Sequence, residues 1–208
     1  MDGKGRAFKG MIGGAAYDRW ASALGMGMQF YRRAAGGIEL PAGARVLDLG
    51  CGTGSLSVAF AERLDGAASI YGVDISDEQL GHAQAKTKGH RGEFRFLPYS
   101  MDDLQFPDGF FDAVITSMAL HETPPTVRCG AIRETARVLK RNGLFVLVDW
   151  SRPKAGLLAA IWFPFLFLGE WRDNWRNVYR TLCEEQGLAL REDVYINSLV
   201  RRQVFIKQ

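Results

Sequence analysis

The sequence predicts one α/β domain, a doubly wound, mainly parallel sheet closed by an antiparallel C-terminal hairpin. Three observations carry this reading. Five short apolar runs alternate with helical patterns from residue 45 to residue 187, and such alternation buries a parallel sheet between helices. The last two runs, about 190–197 and 199–206, have almost no connection between them. They can only pair antiparallel, because a parallel crossover needs a dozen or more residues. The chain of 208 residues is long enough for one sizeable core and too short for two ordinary domains.

Taken in order, residues 1–13 are rich in Gly and Lys and read as a mobile start. Residues 15–35 mix aromatics, Met and Arg and read as one or two helices, so residues 1–40 form an N-terminal helical lid. Pro41-Ala42-Gly43 is a turn. Arg45 to Leu49, closed by Gly50, is a buried strand. Leu56, Ala59, Phe60 and Leu64 fall at helical spacing. Ser69 to Val73 is the second strand. Ser76-Asp77-Glu78-Gln79 predicts a capping box, with Ser76 and Gln79 satisfying each other's backbone N–H. The helix it opens runs to about Lys88. Glu93 to Leu97 is the third strand and Phe110 to Thr116 the fourth, opened by the turn Pro107-Asp108-Gly109. A helix spaced by Val127, Ala131, Thr135 and Val138 ends near Lys140, stopped by Asn142-Gly143. Leu144 to Val148 is the fifth strand. Residues 155–187 read as helical to Gly187, within a segment 151–187 that covers the acceptor side of a core spanning 41–150. Residues 188–208 close the sheet.

Composition excludes several classes. Net charge is +3, and Lys and Arg are spread along the chain, so there is no nucleic-acid footprint. The three cysteines, Cys51, Cys129 and Cys183, are widely spaced and form no CxxC. That argues against a disulfide framework or a zinc site and for reduced thiols in the cytoplasm. The longest uncharged apolar run, Ala155 to Leu168, is interrupted by Pro164 and is shorter than the ~20 residues of a membrane span. Peripheral contact with a membrane surface stays open.

The chemistry is carried by the end of the first strand, Val46-Leu47-Asp48-Leu49-Gly50-Cys51-Gly52-Thr53-Gly54. Its glycines allow a sharp turn and close approach to a ligand, and the helix behind it offers N–H groups. Asp74, at the end of the second strand, suits the two hydroxyls of a ribose. A dinucleotide site wants GxGxxG. This chain has GxGxG, with Asp48 two places before the first glycine; its charge would repel a pyrophosphate and attract an ammonium.

Together with YGVDIS at 71–76, LQFPDGFFDAVITSMALHE at 104–122 and ETARVLKRNGLFVLVD at 134–149, this loop resembles the class I S-adenosylmethionine-dependent methyltransferases. Within that class it looks most like the ubiquinone/menaquinone-type and related small-molecule methyltransferases. The resemblance spans about residues 40–150 and implies a Rossmann-like, seven-stranded sheet with a reversed last strand. It implies that Asp48, Gly50 and Gly52 hold the methionine end of S-adenosylmethionine. Cys51 lies within the same loop, where the family often has Cys, so no reactive thiol is needed. Asp74 would take the ribose, Ile75 would pack on adenine, and Ser100 and Met101 would read the adenine edge. Ser117, just past the fourth strand, would lie under the methionine part. Asp-Ala is the common pair where this chain has Ser100-Met101, which weakens the contact to the exocyclic amine. Tyr17 is a candidate to close over the cofactor.

His121 and Asp149 stand at the carboxyl edge of the sheet, where ligands of open α/β folds bind. Each is a candidate base for an acceptor hydroxyl or amine; the bland alternative for His121 is a helix cap. The aromatic, apolar stretch 155–175 reads either as a buried helix or as a greasy cover for a lipid or quinone-like acceptor. No metal-ligand cluster is visible. The leading expectation is methyl transfer to a small, lipophilic acceptor, at O, N or C. A non-catalytic cofactor-binding module and a nicotinamide-dependent oxidoreductase are the alternatives.

Overall fold

The computed structural model describes residues 22, 25–154 and 175–208. Tyr17, the stretch 155–174 and most of the expected N-terminal lid lie outside the described residues. A first helix, α1 (Met28–Ala35), precedes β1 (Arg45–Leu49), α2 (Ser55–Arg63), β2 (Ser69–Val73), α3 (Asp77–Thr87) and β3 (Glu93–Leu97). Then follow β4 (Phe111–Ser117), a single 3-10 turn (Leu120–Glu122), α4 (Pro125–Val138), β5 (Leu139–Trp150), α5 (Val178–Glu185), β6 (Leu188–Tyr195) and β7 (Val200–Lys207).

The strands form one seven-stranded sheet in the order β3-β2-β1-β4-β5-β7-β6. Pairings from β3 through β5 are parallel, and β7 runs antiparallel to both β5 and β6. This is the architecture expected from the alternation and the closing hairpin. Successive residues of a strand point to opposite faces, and the central strands are apolar on both. In β5, Val146 and Val148 join Phe30, Leu56 and Phe60 in one core, while Phe145 and Leu147 join Ile132, Tyr179 and Phe205 in the other. Helices thus cover both faces, and ligand access is left to the loops at the strand ends.

Several boundaries differ from expectation. Helix α4 ends at Val138, and Asn142-Gly143 does not stop it. Leu139 is already fully buried and paired with Phe111, and the register shifts before Ala113 meets Leu144. Asn142, at φ 63°, lies in that excursion of the strand. The capping box is half made: Ser76 Oγ accepts from the Gln79 N–H at 3.4 Å, but Gln79 Oε1 has no partner among the described residues. β6 begins two residues early, directly after Gly187 at φ 75°. Ser117 is the last residue of β4, not a residue beyond it. No helix among the described residues is long and apolar enough to cross a membrane.

Candidate functional site

β1 lies between β2 and β4, and the chain leaves these neighbours in opposite directions along the sheet. Such a switch point opens a crevice at the carboxyl ends of the strands. Two bonds tie its walls together: the Cys51 N–H donates to Val73 O at 2.9 Å, and Thr116 Oγ1 donates to Leu49 O at 2.7 Å. Gly50, at φ 69°, presses on the loop after β4; a Cβ there would stand 2.7 Å from Ala119 Cβ. Gly52, at φ 51°, is the opposite case, because its Cβ would meet nothing within 4 Å. The loop therefore presents bare backbone to open space, as a cradle for a ligand requires.

Nine of the ten expected cofactor residues line this one cavity: Asp48, Gly50, Cys51, Gly52, Asp74, Ile75, Ser100, Met101 and Ser117. The tenth, Tyr17, lies outside the described residues. Asp48 is 1% exposed and accepts a 2.6 Å bond from Ser57 Oγ on α2. Burial lifts its carboxyl to about 7, against the pull of the Ser57 bonds and helped by the charge of Asp74. Asp74 accepts from the Gly52 N–H at 3.0 Å on one oxygen and the Ser76 N–H at 2.9 Å on the other. Burial raises it too, and these backbone bonds hold the rise back. A carboxylate has about four lone-pair sites, and the backbone N–H groups of Gly52, Ser76 and Ile75 do not fill them all. Burial, with the charges of Asp48 and Asp74, pushes the Cys51 thiol well up, which keeps it neutral and unreactive.

The cavity fits an adenosine-type cofactor with an amino-acid tail on further grounds. Ser117 Oγ and Gln79 Oε1 are buried and without a partner among the described residues, and both residues line the cavity. Buried polar atoms of this kind are rare unless a ligand or water completes them. Ile75 is 39% exposed, an apolar surface at the cavity wall for a flat ring to cover. Ser100 Oγ hydrogen-bonds the Asp102 carboxylate. Donating that proton leaves the hydroxyl oxygen able to accept, the role a carboxylate would otherwise fill at an exocyclic amine.

Ser117, Met118, Ala119, Glu122 and Thr123, and Tyr31 of α1, also line the cavity wall. His121 and Asp149 stand behind this wall. His121 Nδ1 and Asp149 Oδ1 are 2.7 Å apart, and His121 Nε2 lies 3.2 Å from Glu122 Oε1. Asp149 also accepts from the backbone N–H of His121 at 3.2 Å and of Trp150 at 2.8 Å. Burial lowers the imidazole, but the two carboxylates outweigh it and hold it at about 9. With a carboxylate oxygen against each ring nitrogen, the arrangement favours the protonated imidazole, a form without the lone pair a base needs. Among the described residues no group of three His, Cys, Asp or Glu is arranged to hold a metal ion.

Sequence reasoning missed Tyr31, Gln79, Tyr99 and Glu122 as cavity residues. Gln79 was absorbed by the capping-box pattern. Glu122 stood beside the conspicuous His121, and only the 3-10 turn at 120–122 reveals which of the two faces the cavity.

A family model described as a methyltransferase domain matches residues 46–143. The chain is 36% identical over 133 residues to an uncharacterized methyltransferase of Synechocystis sp., covering 64% of this chain and 58% of that protein. It is 30% identical over 171 residues to the ubiquinone/menaquinone biosynthesis C-methyltransferase of Citrifermentans bemidjiense, covering 79% of this chain and 72% of that protein. The fold superposes on magnesium protoporphyrin IX methyltransferase from Synechocystis, solved with bound S-adenosylhomocysteine, with a TM-score of 0.68 at 23% identity over 95% of this chain and 96% of that one.

Proposed function

Because the chain belongs to the family of S-adenosylmethionine-dependent methyltransferases, we propose that it transfers the methyl group of that cofactor to a small, lipophilic acceptor. The observation that carries this reading is the single cavity in which the bare backbone of Gly52, the diol-ready carboxylate of Asp74 and the orphan hydroxyl of Ser117 converge. The cofactor supplies a methyl already activated on a sulfonium, so no further electrophile has to be made.

The protein's share is binding, orientation and exclusion of water. Asp74 would take the ribose hydroxyls, Ile75 and Tyr99 would flank the adenine, and Asp48 would receive the ammonium of the methionine tail. Ser117 and the Gly50–Gly52 backbone hold the rest of that tail. Met118, Ala119, Glu122 and Tyr31, which line the same cavity, would form the wall that holds the acceptor. The mostly apolar character of that wall, the uncharged run 155–168 in the sequence, and the quinone-pathway name of the Citrifermentans relative support a lipophilic, quinone-like acceptor.

Calorimetric titration tests the reading. S-adenosylmethionine and S-adenosylhomocysteine bind and NAD does not. Binding of NAD instead, or of none of the three, would overturn it.

A further inference from the structure

We propose that Glu122 is the catalytic carboxylate that meets the methyl acceptor, that His121 and Asp149 are positioning residues behind it, and that the acceptor carries a hydroxyl. The inference rests on the methyl-transfer reading and assigns a substrate class to the same site.

Three groups of alternating charge run from the core to the cavity. The Asp149 side chain is 1% exposed, His121 7% and Glu122 22%. Only the last of the three lines the cavity, whose lining also includes Ser117 and Ala119. Asp149 is fixed by two backbone N–H groups and grips the imidazole. The imidazolium in turn fixes Glu122 Oε1 at 3.2 Å. Both ring nitrogens of His121 face carboxylate oxygens, so neither is left to act on a substrate. The turn that carries Glu122 is braced from the far side. Buried Arg128 donates to Leu120 O at 3.2 Å and to Thr123 O at 2.9 Å. Orientation is thus built into a rigid shell, as a reacting group requires.

The chemistry selects the partner. An ionised carboxylate accepts hydrogen bonds and cannot donate them, so it recognises a donor on the acceptor. Met118, Ala119 and Tyr31 line the same cavity, and a neutral hydroxyl enters such surroundings at lower desolvation cost than an ammonium. In the reaction the hydroxyl proton passes to Glu122. The electron pair left on the acceptor, on oxygen or delocalised to a ring carbon, forms the bond to the methyl carbon; at a ring carbon the hydrogen already there is then lost as a proton and the oxygen takes one up, which restores the ring and its hydroxyl. The carbon–sulfur bond breaks with its electrons remaining on sulfur, and the proton leaves Glu122 for solvent.

The test uses the full chain loaded with S-adenosylhomocysteine and two probes of nearly equal shape, 1-naphthol and 1-methoxynaphthalene. The wild type binds the naphthol about ten- to hundredfold more tightly, the range that a hydrogen bond to a charged group is worth. E122Q loses most of that preference while S-adenosylhomocysteine affinity stays within about twofold, and E122D recovers part of it. His121 ring-nitrogen NMR reports the positioning role separately: titration near 9 in the wild type moves down in E122Q. Equal binding of the two probes, binding of neither, an undiminished preference in E122Q or an unmoved His121 titration would each overturn the proposal. Failure to bind S-adenosylhomocysteine at all would instead overturn the methyl-transfer reading beneath it.

Discussion

At the scale of single residues, Asp48 and Asp74, two of the carboxylates that line the cavity, differ in how they are held. Asp74 is held by the Gly52 and Ser76 N–H groups, so its place is fixed before any ligand arrives. Asp74→Ala should weaken S-adenosylhomocysteine binding about 100-fold in calorimetry, since a pair of charge-assisted hydrogen bonds is lost; unchanged affinity would refute the ribose assignment. Asp48 is buried with a carboxyl near 7 against 3.8 when unfolded. The folded protein holds a proton there that the unfolded chain has released. The stability this adds is complete below about pH 4 and is lost as pH rises through about 7. An ammonium arriving beside it favours the ionised form, so cofactor binding near pH 7 should expel a proton. Titrations in two buffers of different ionisation enthalpy would show the release, and Asp48→Asn should abolish it. At this scale the glycine loop and Asp74 were legible because their chemistry is local. Glu122 was not, because its facing depends on a turn braced by Arg128 and on Asp149, residues six and twenty-seven positions further along the chain.

At the scale of elements, α3 shows what a local signal can and cannot predict. Ser76 caps it, bonding the Gln79 N–H, as the sequence pattern requires. The reciprocal bond is missing because the Gln79 side chain belongs to the cavity wall. Ser76→Ala should destabilise the protein by about 1 kcal/mol, measured as a shift in urea midpoint at constant m-value. Gln79→Ala should cost less in stability and more in cofactor affinity. The strand–helix alternation was readable because each buried strand is a short apolar run bounded by turn residues. The junction of α4 and β5 was misread for a physical reason: Asn-Gly is a helix stop in isolation, but burial of Leu139 beneath Phe111 starts the strand before it.

At the scale of the whole molecule, the closing hairpin and the first helix hold each other. Arg202 on β7 is 8% exposed. It donates to Arg33 O, Ala34 O and Gly36 O at the end of α1 at 3.1, 3.1 and 2.6 Å, and it forks onto Glu192 of β6. No sequence pattern announces a contact between residues 166 to 169 positions apart. Arg202→Met should cost about 2–3 kcal/mol in urea denaturation. Arg202→Lys should recover little of it, because an ammonium cannot span the fork and three carbonyls together. Since α1 also carries Tyr31 into the cavity, Arg202→Met should weaken acceptor-probe binding as well, whereas a purely local defect would leave it untouched.

The position of β7 between β5 and β6 has a consequence in time. During synthesis β5 emerges about fifty residues before β7 begins, on the order of 3–10 s at ~5–20 residues per second. Throughout that interval β7, the strand that pairs with this edge of β5 in the folded sheet, is not yet made, and β6 is synthesised before it. The nascent protein must therefore keep an apolar edge vacant while its nearest candidate in sequence passes by. Premature pairing of β5 with β6, or with the same edge of another nascent chain, is the misfolding route that this strand order creates.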